Sequence, residues 1–146
     1  RYILAIIDRW KNKGFYPNEV IVSQKDIYEK TIAPIYKIYQ QKLIDLNSCD
    51  FGDSILHTVK ILEKNSEIRS IYSKNYKFIL VDEYQDTNYI QSKWLNLLAE
   101  KNKNICCVGD DDQSIYSWRG ADVTNLLEFK KNFQAPKIIR LEQNYR

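Results

Sequence analysis

A series of amphipathic helices leading into an α/β unit with a parallel sheet is the fold class that this 146-residue sequence predicts, and three observations predict it. Ile32, Ile35, Tyr36, Tyr39, Leu43 and Leu46 recur at three- and four-residue intervals, the period of one helix face. At Phe78 the period changes to a continuous apolar run, FILV, and a second run, ICCV, begins at Ile105. Between the runs lies another helical pattern, and two strands joined through a helix form a parallel crossover.

Taken in order, the apolar stretch from Tyr2 to Ile7 is broken by Asp8 and Arg9; it is too short to cross a bilayer and has no small-residue cleavage site. Lys11 to Pro17, KNKGFYP, has the composition of a turn between helices. The long helix that follows contains Pro34, which is expected to interrupt or kink it. A break at Asn47 to Asp50 precedes a second amphipathic segment with Ile55, Leu56, Val59 and Leu62, and Ile68 to Tyr76 reads as a short helix or loop. FILV at 78–81 and Ile105 to Val108 are expected to be strands covered on both faces. Thr87 or Asn88 can cap the intervening helix, which carries Ile90, Trp94, Leu97 and Leu98 on one side. A further helix from about Leu126 to Phe133 should stop near Pro136, with Ile138 to Leu141 as a third strand.

Composition sets wide bounds. A chain that is 44% apolar and 13% aromatic can build a core, whereas a formal charge of +3 permits nucleic-acid contact without arguing for it. Cys49, Cys106 and Cys107 show no C-x-x-C spacing, so neither a zinc site nor a disulfide framework is implied, and a reduced, cytoplasmic protein without a membrane partner is expected. Cys106 and Cys107, being adjacent in a strand, should face opposite ways. The sole histidine, His57, reads as a surface or packing residue. Because the sequence has no methionine and opens with Arg1, it is expected to be a piece of a longer chain that continues past Arg146.

The chemistry begins at the end of FILV, where Asp82 and Glu83 follow the strand directly. Ligands of open parallel sheets bind beyond the carboxyl ends of the strands. There one carboxylate can hold magnesium while its neighbour orients a water, the two tasks that phosphoryl transfer needs side by side. Taken alone, the same pattern also describes a strand followed by a solvated turn. Gln113 alone could be a surface amide, and Arg146 a cation at a chain end. Tyr116 and Trp118 could pack in a core.

The longer stretches are more specific. VDEYQDTN at 81–88, VGDDDQSIYSWRGAD at 108–122 and LEQNYR at 141–146, together with DFGD at 50–53 and YQQKL at 39–43, resemble the motifs of UvrD/PcrA/Rep-type superfamily 1 DNA helicases in that family's order. The resemblance implies an ATP-dependent helicase or translocase of DNA repair with 3′-to-5′ polarity, using ATP and Mg2+, acting on single-stranded DNA and single-strand/duplex junctions, with repair proteins as possible partners. It implies a partial RecA-like domain over residues 48–146, lacking the phosphate-loop strand and helix, after the end of an inserted helical subdomain over residues 1–47. Asp82 would then serve the magnesium ion and Glu83 would be the general base. Gln113 would contact the γ-phosphate, Arg146 would act on it as an arginine finger, and Tyr145 would stack on the adenine. Tyr116 and Trp118, with Arg119 beside them, would grip the strand. Base stacking on aromatic rings is worth about 1–3 kcal/mol per base and tolerates any sequence.

Gln113 and Trp118 are so close in the chain that one loop could answer to both nucleotide and strand, which makes alternate tightening and loosening of the grip the expected mechanism. None of Gly14, Gly52, Gly109 and Gly120 is followed by lysine, so the G-x-x-x-x-G-K-[ST] phosphate loop is missing and the chain alone is expected to be inactive. The truncated sheet should expose apolar surface and favour self-association. Two other readings remain open: a non-catalytic nucleic-acid-binding remnant of a split gene, and a subunit of a recombination helicase–nuclease.

Overall fold

The computed structural model describes residues 1–22, 26–116, 120–122, 124–127, 129, 133, 136–141 and 143. Helix α1 (Tyr2–Asn12) lays Ile6, Ile7 and Trp10 against Ile32 and Tyr36 of α2 (Ile27–Asp45), with the Trp10 and Tyr36 rings stacked at 5.8 Å. The turn predicted from Lys11 begins later than expected, since Lys11 and Asn12 belong to α1 and Lys11 is fully buried. Gly14 makes the turn at φ +82, a conformation that a side chain would strain, and a Cβ there would stand 3.3 Å from Ile90. Asp26 caps α2 by accepting the Glu29 N–H at 2.9 Å. The helix is not interrupted at Pro34; the proline costs it one backbone donor on an exposed position.

Asn47, at φ +49, turns the chain out of α2, and the break ends at Asp50. Asp50 and Asp53 form a reciprocal capping box that starts α3 (Phe51–Lys64). Leu56 and Val59 of α3 pack on Ile90 of α5 (Tyr89–Ala99), flanked by Tyr16, Ile55, Trp94 and Leu97. Helix α4 (Ser66–Asn75) leans on the same pair, with Arg69 bonded to the Leu62 carbonyl at 2.9 Å and to Glu100 at 2.7 Å.

Strands β1 (Ile79–Val81) and β2 (Ile105–Cys107) are parallel, with Ile79 opposite Ile105, Leu80 opposite Cys106 and Val81 opposite Cys107. Helix α5 crosses between them, capped by Asn88 and Gln91 reciprocally, while Thr87 bonds instead to the Tyr84 carbonyl. A short helix, α6 (Thr124–Leu127), begins two residues before the helix predicted from about Leu126 and overlaps it at Leu126 and Leu127; residues 128, 130–132, 134 and 135 lie outside the described residues.

Two expectations about the sheet fail. The strands are covered on one face only: Leu80 and Cys106 are exposed, as are Phe78 and Val108 at the strand ends. A continuous apolar run suits a strand covered on both faces, whereas here Ile79, Val81, Ile105 and Cys107 are half-buried and Leu80 and Cys106, pointing the other way, stand in water. Residues 136–141 form no strand, although Ile138, Ile139 and Leu141 are apolar. The sheet of described residues has two members, and this segment makes no ladder with either. Cys106 and Cys107 do face opposite ways, and burial lifts the Cys107 thiol to about 12, so it remains an unreactive small apolar group.

Candidate functional site

Where β1 ends, the chain turns sharply. Glu83 adopts φ +51 and ψ +43, a left-handed conformation uncommon for a residue with a side chain, and its N–H is accepted by the Asp82 carboxylate at 3.0 Å. A 3-10 turn follows over Tyr84–Asp86. Its anchor is Tyr84, buried against Phe129, with its hydroxyl 3.0 Å from that of Ser92. Burial pushes the Tyr84 phenol up, and the Ser92 contact only partly opposes this. The parallel pairing continues past both strands: Val108 N–H donates to the Val81 carbonyl at 2.8 Å, and Tyr84 N–H to the Val108 carbonyl at 2.9 Å.

These bonds bring the loop after β2 beside the loop after β1. The buried Gln85 lies between them, its amide nitrogen donating to Glu83 Oε2 at 2.7 Å and its oxygen accepting the Asp110 N–H at 3.0 Å. Asp110 in turn caps the 3-10 turn Asp111–Gln113 and accepts the Gln113 amide at 2.6 Å. Asp82, Glu83 and Gln113 are all exposed at this carboxyl edge. The donors suit a hard divalent cation: Asp82 presents an exposed carboxylate, and Asp110, Asp111 and Asp112 hold three carboxylate oxygens within 4.8 Å of one another.

Tyr116 lies elsewhere. It lines a half-open cleft of about 1110 Å3 whose walls include Tyr2, Arg9 and Asn12 of α1, Phe51 and Gly52 at the start of α3, and Asp86, Asn88 and Gln91. Phe51 is 98% exposed, a whole aromatic face open to water at a helix start. Arg9 reaches Glu29 at 2.7 Å, and Asn12 accepts from Asn88 at 3.1 Å, tying α1 to the cap of α5. Thus the structure brings Asp82, Glu83 and Gln113 to one sheet edge and sets Tyr116, three residues beyond Gln113, in a separate cleft. Trp118, Arg119, Tyr145 and Arg146 lie outside the described residues.

Sequence reasoning passed over three residues. Gln85 sits inside VDEYQDTN, but no periodicity marks a buried amide that joins two loops. Phe51 appears in the sequence only as part of DFGD, yet it opens α3 with its ring almost wholly exposed. Lys11 falls in an apparent turn sequence, although it is the buried counter-charge of DFGD, with its ammonium 2.7 Å from Asp50 and 2.8 Å from Asp53.

The parallel crossover thus carries paired acids at its carboxyl edge, with a cleft containing aromatic side chains nearby. Residues 1–134 match the model of the UvrD/REP helicase N-terminal domain, and the chain belongs to that family. It is 50% identical, over its whole length, to a probable DNA helicase II homolog of Rickettsia conorii, and 43% identical to the ATP-dependent DNA helicase PcrA of Bacillus subtilis. It spans about a fifth of the length of these curated relatives, 22% of the first and 20% of the second. Among the described residues no helix is long and apolar enough to cross a membrane.

Proposed function

We propose that the chain supplies the hydrolytic edge and part of the single-strand cleft of an ATP-dependent 3′-to-5′ DNA helicase or translocase of DNA repair, working in the cytoplasm on single strands and single-strand/duplex junctions. The observation that carries this reading is the common carboxyl edge of β1 and β2, at which Asp82, Glu83 and Gln113 are exposed, with Tyr116 of the same connecting loop in the adjacent cleft.

In this reading Glu83 accepts the proton of the water that attacks the terminal phosphorus of ATP, and the exposed carboxylate of Asp82 holds Mg2+. That ion neutralises phosphate charge when bound. Gln113 exchanges its bond to Asp110 for one to the γ-phosphate, and the change passes along the three-residue step to Tyr116. Arg146 completes the charge stabilisation, and Tyr145 stacks on the adenine. Trp118 and Arg119 grip the strand with Tyr116, and Phe51 offers a further ring in the same cleft. Residues 1–47 belong to an inserted helical subdomain and residues 48–146 to a RecA-like motor domain. The 146 residues contain no G-x-x-x-x-G-K-[ST] loop, so the isolated chain turns over no ATP.

The test is strand-stimulated ATPase activity of a full-length polypeptide carrying this chain, beside its Glu83→Gln variant. Loss of a positioned general base lowers turnover by about 10²- to 10⁴-fold. Equal turnover in the two would remove Glu83 from the role.

A further inference from the structure

Gln85 is 1% exposed, and both ends of its amide are in use. Its nitrogen donates to Glu83 Oε2 at 2.7 Å, and its oxygen accepts the N–H of Asp110 at 3.0 Å. The amide fills both positions at once, which neither a carboxylate, that only accepts, nor an ammonium, that only donates, could do. One more bond, from Gln113 to Asp110 at 2.6 Å, completes a continuous path from the paired acids to the loop after β2. Gly109 fits the same account. A Cβ there would stand 2.8 Å from Gln85 Oε1, and 3.3 and 3.4 Å from the backbone nitrogens of Gln85 and Tyr84. Its φ lies outside the left-handed range, so this glycine is needed for space and not for conformation.

We infer that Gln85 is a positioning residue that sets the Glu83 carboxylate and the Asp110–Gln113 loop in one geometry through a single buried amide. The inference rests on the roles proposed for Glu83 and Gln113. A displacement of Gln113 is transmitted to Asp110, from its backbone to the Gln85 oxygen, and from the Gln85 nitrogen to Glu83. Nucleotide occupancy at the reading amide thereby adjusts the group that activates water. In a chain of hydrogen bonds each member polarises the next, which favours such transmission over three independent contacts.

The experiment compares Gln85→Met, which fills a similar volume and makes neither bond, with Gln85→Glu, which keeps the acceptor for Asp110 but sets a carboxylate against Glu83. Both are placed in the full-length polypeptide carrying this chain, with Glu83→Gln as reference. A misplaced reacting group costs about tenfold to a hundredfold, and that fall in strand-stimulated kcat is expected in both variants. KM for ATP should move by less than about threefold, because neither variant alters a group assigned to contact ATP. Single-strand affinity should stay at the wild-type value in both; the thermal midpoint should stay there in Gln85→Met and fall in Gln85→Glu, which buries a carboxylate beside Glu83. Gly109→Ala crowds the amide from an exposed loop without altering it, and should lower kcat to a smaller degree with the same unchanged KM. Wild-type kcat in the Gln85 variants beside an inactive Glu83→Gln overturns this inference and leaves the role of Glu83 standing. Full activity of Glu83→Gln overturns both. A fall in kcat that in Gln85→Met comes only with a lowered thermal midpoint makes Gln85 a structural residue and ends the proposal. Should the Gln85 variants fail to fold, wild-type turnover in Gly109→Ala decides against it.

Discussion

The helical layer and the sheet edge use acidic side chains in opposite ways. Between α1, α2 and α3, Lys11 is fully buried with its ammonium 2.7 Å from Asp50 and in ionic contact with Asp53 at 2.8 Å. Tyr39 donates to Asp50 at 2.9 Å and Gln40 to Asp53 at 3.0 Å. Burial would raise the Asp50 carboxyl, but hydrogen bonds from Lys11, the Asp53 backbone and Tyr39 outweigh it and hold the group below its ordinary value of 3.8. The same surroundings push Tyr39 up to about 12, through burial first and then its bond to Asp50. At the sheet edge, Asp82 and Glu83 stand in water, each held by a local bond. An acid tied to an ammonium, a hydroxyl and a backbone amide is held in place, and a ligand would have to compete with all three. An exposed one held by a single contact can take a cation or a proton, so burial and partners separate the structural acids of DFGD from the candidate catalytic acids of VDEYQDTN.

The largest expected effect breaks the buried side. Lys11→Met leaves Asp50 and Asp53 without their counter-charge, and removal of one partner of a buried ion pair costs about 3–5 kcal/mol. Urea unfolding measures it, and a loss under about 1 kcal/mol would place these acids in effective contact with water. Next comes acid. Because the folded-state value of Asp50 is depressed, its stabilisation is complete above the ordinary carboxylate range and disappears as pH falls through the folded value. Asp8 acts in the opposite sense, being raised by burial and by the Asp50 charge against the pull of Lys11. Unfolding free energy should therefore fall below about pH 4, and Asp50→Asn should flatten that limb; an unchanged slope would remove Asp50 from the account. Smaller still, Asn88→Ala removes a helix cap at about 1 kcal/mol, whereas Asp111→Ala at the sheet edge should stay within about 0.5 kcal/mol. If Asp111→Ala matched Lys11→Met in the same urea series, the contrast between the two regions would vanish.

Local signals carried well from sequence to structure where they concern neighbours in the chain. The α3 stripe through Leu56, Val59 and Leu62, the cap at Asn88 and the β1–α5–β2 crossover each depend on periodicity or on a side chain bonding a few residues away. What could not be read depends on distant partners. Lys11 meets Asp50 across 39 residues, and Gln85 meets Asp110 across 25, so no window of sequence contains both members of either pair. The run at 138–141 has strand composition, but a strand also requires a neighbour with free donors and acceptors, and composition says nothing of that. The alternating exposure of Leu80 and Cys106 likewise depends on what covers the second face.

The in-step alignment of Ile79 with Ile105 has a further consequence. Side chains in a strand alternate, so sliding one strand past the other by a single place would move it about 3.3 Å and exchange its inward and outward faces. Cys107 would turn toward water, and Gly109 would leave the hollow beside Gln85 that admits no Cβ. The alignment of two three-residue strands therefore acts as a vernier for the loops beyond them, and apolar strand residues that make no contact with a ligand themselves set how closely those loops approach.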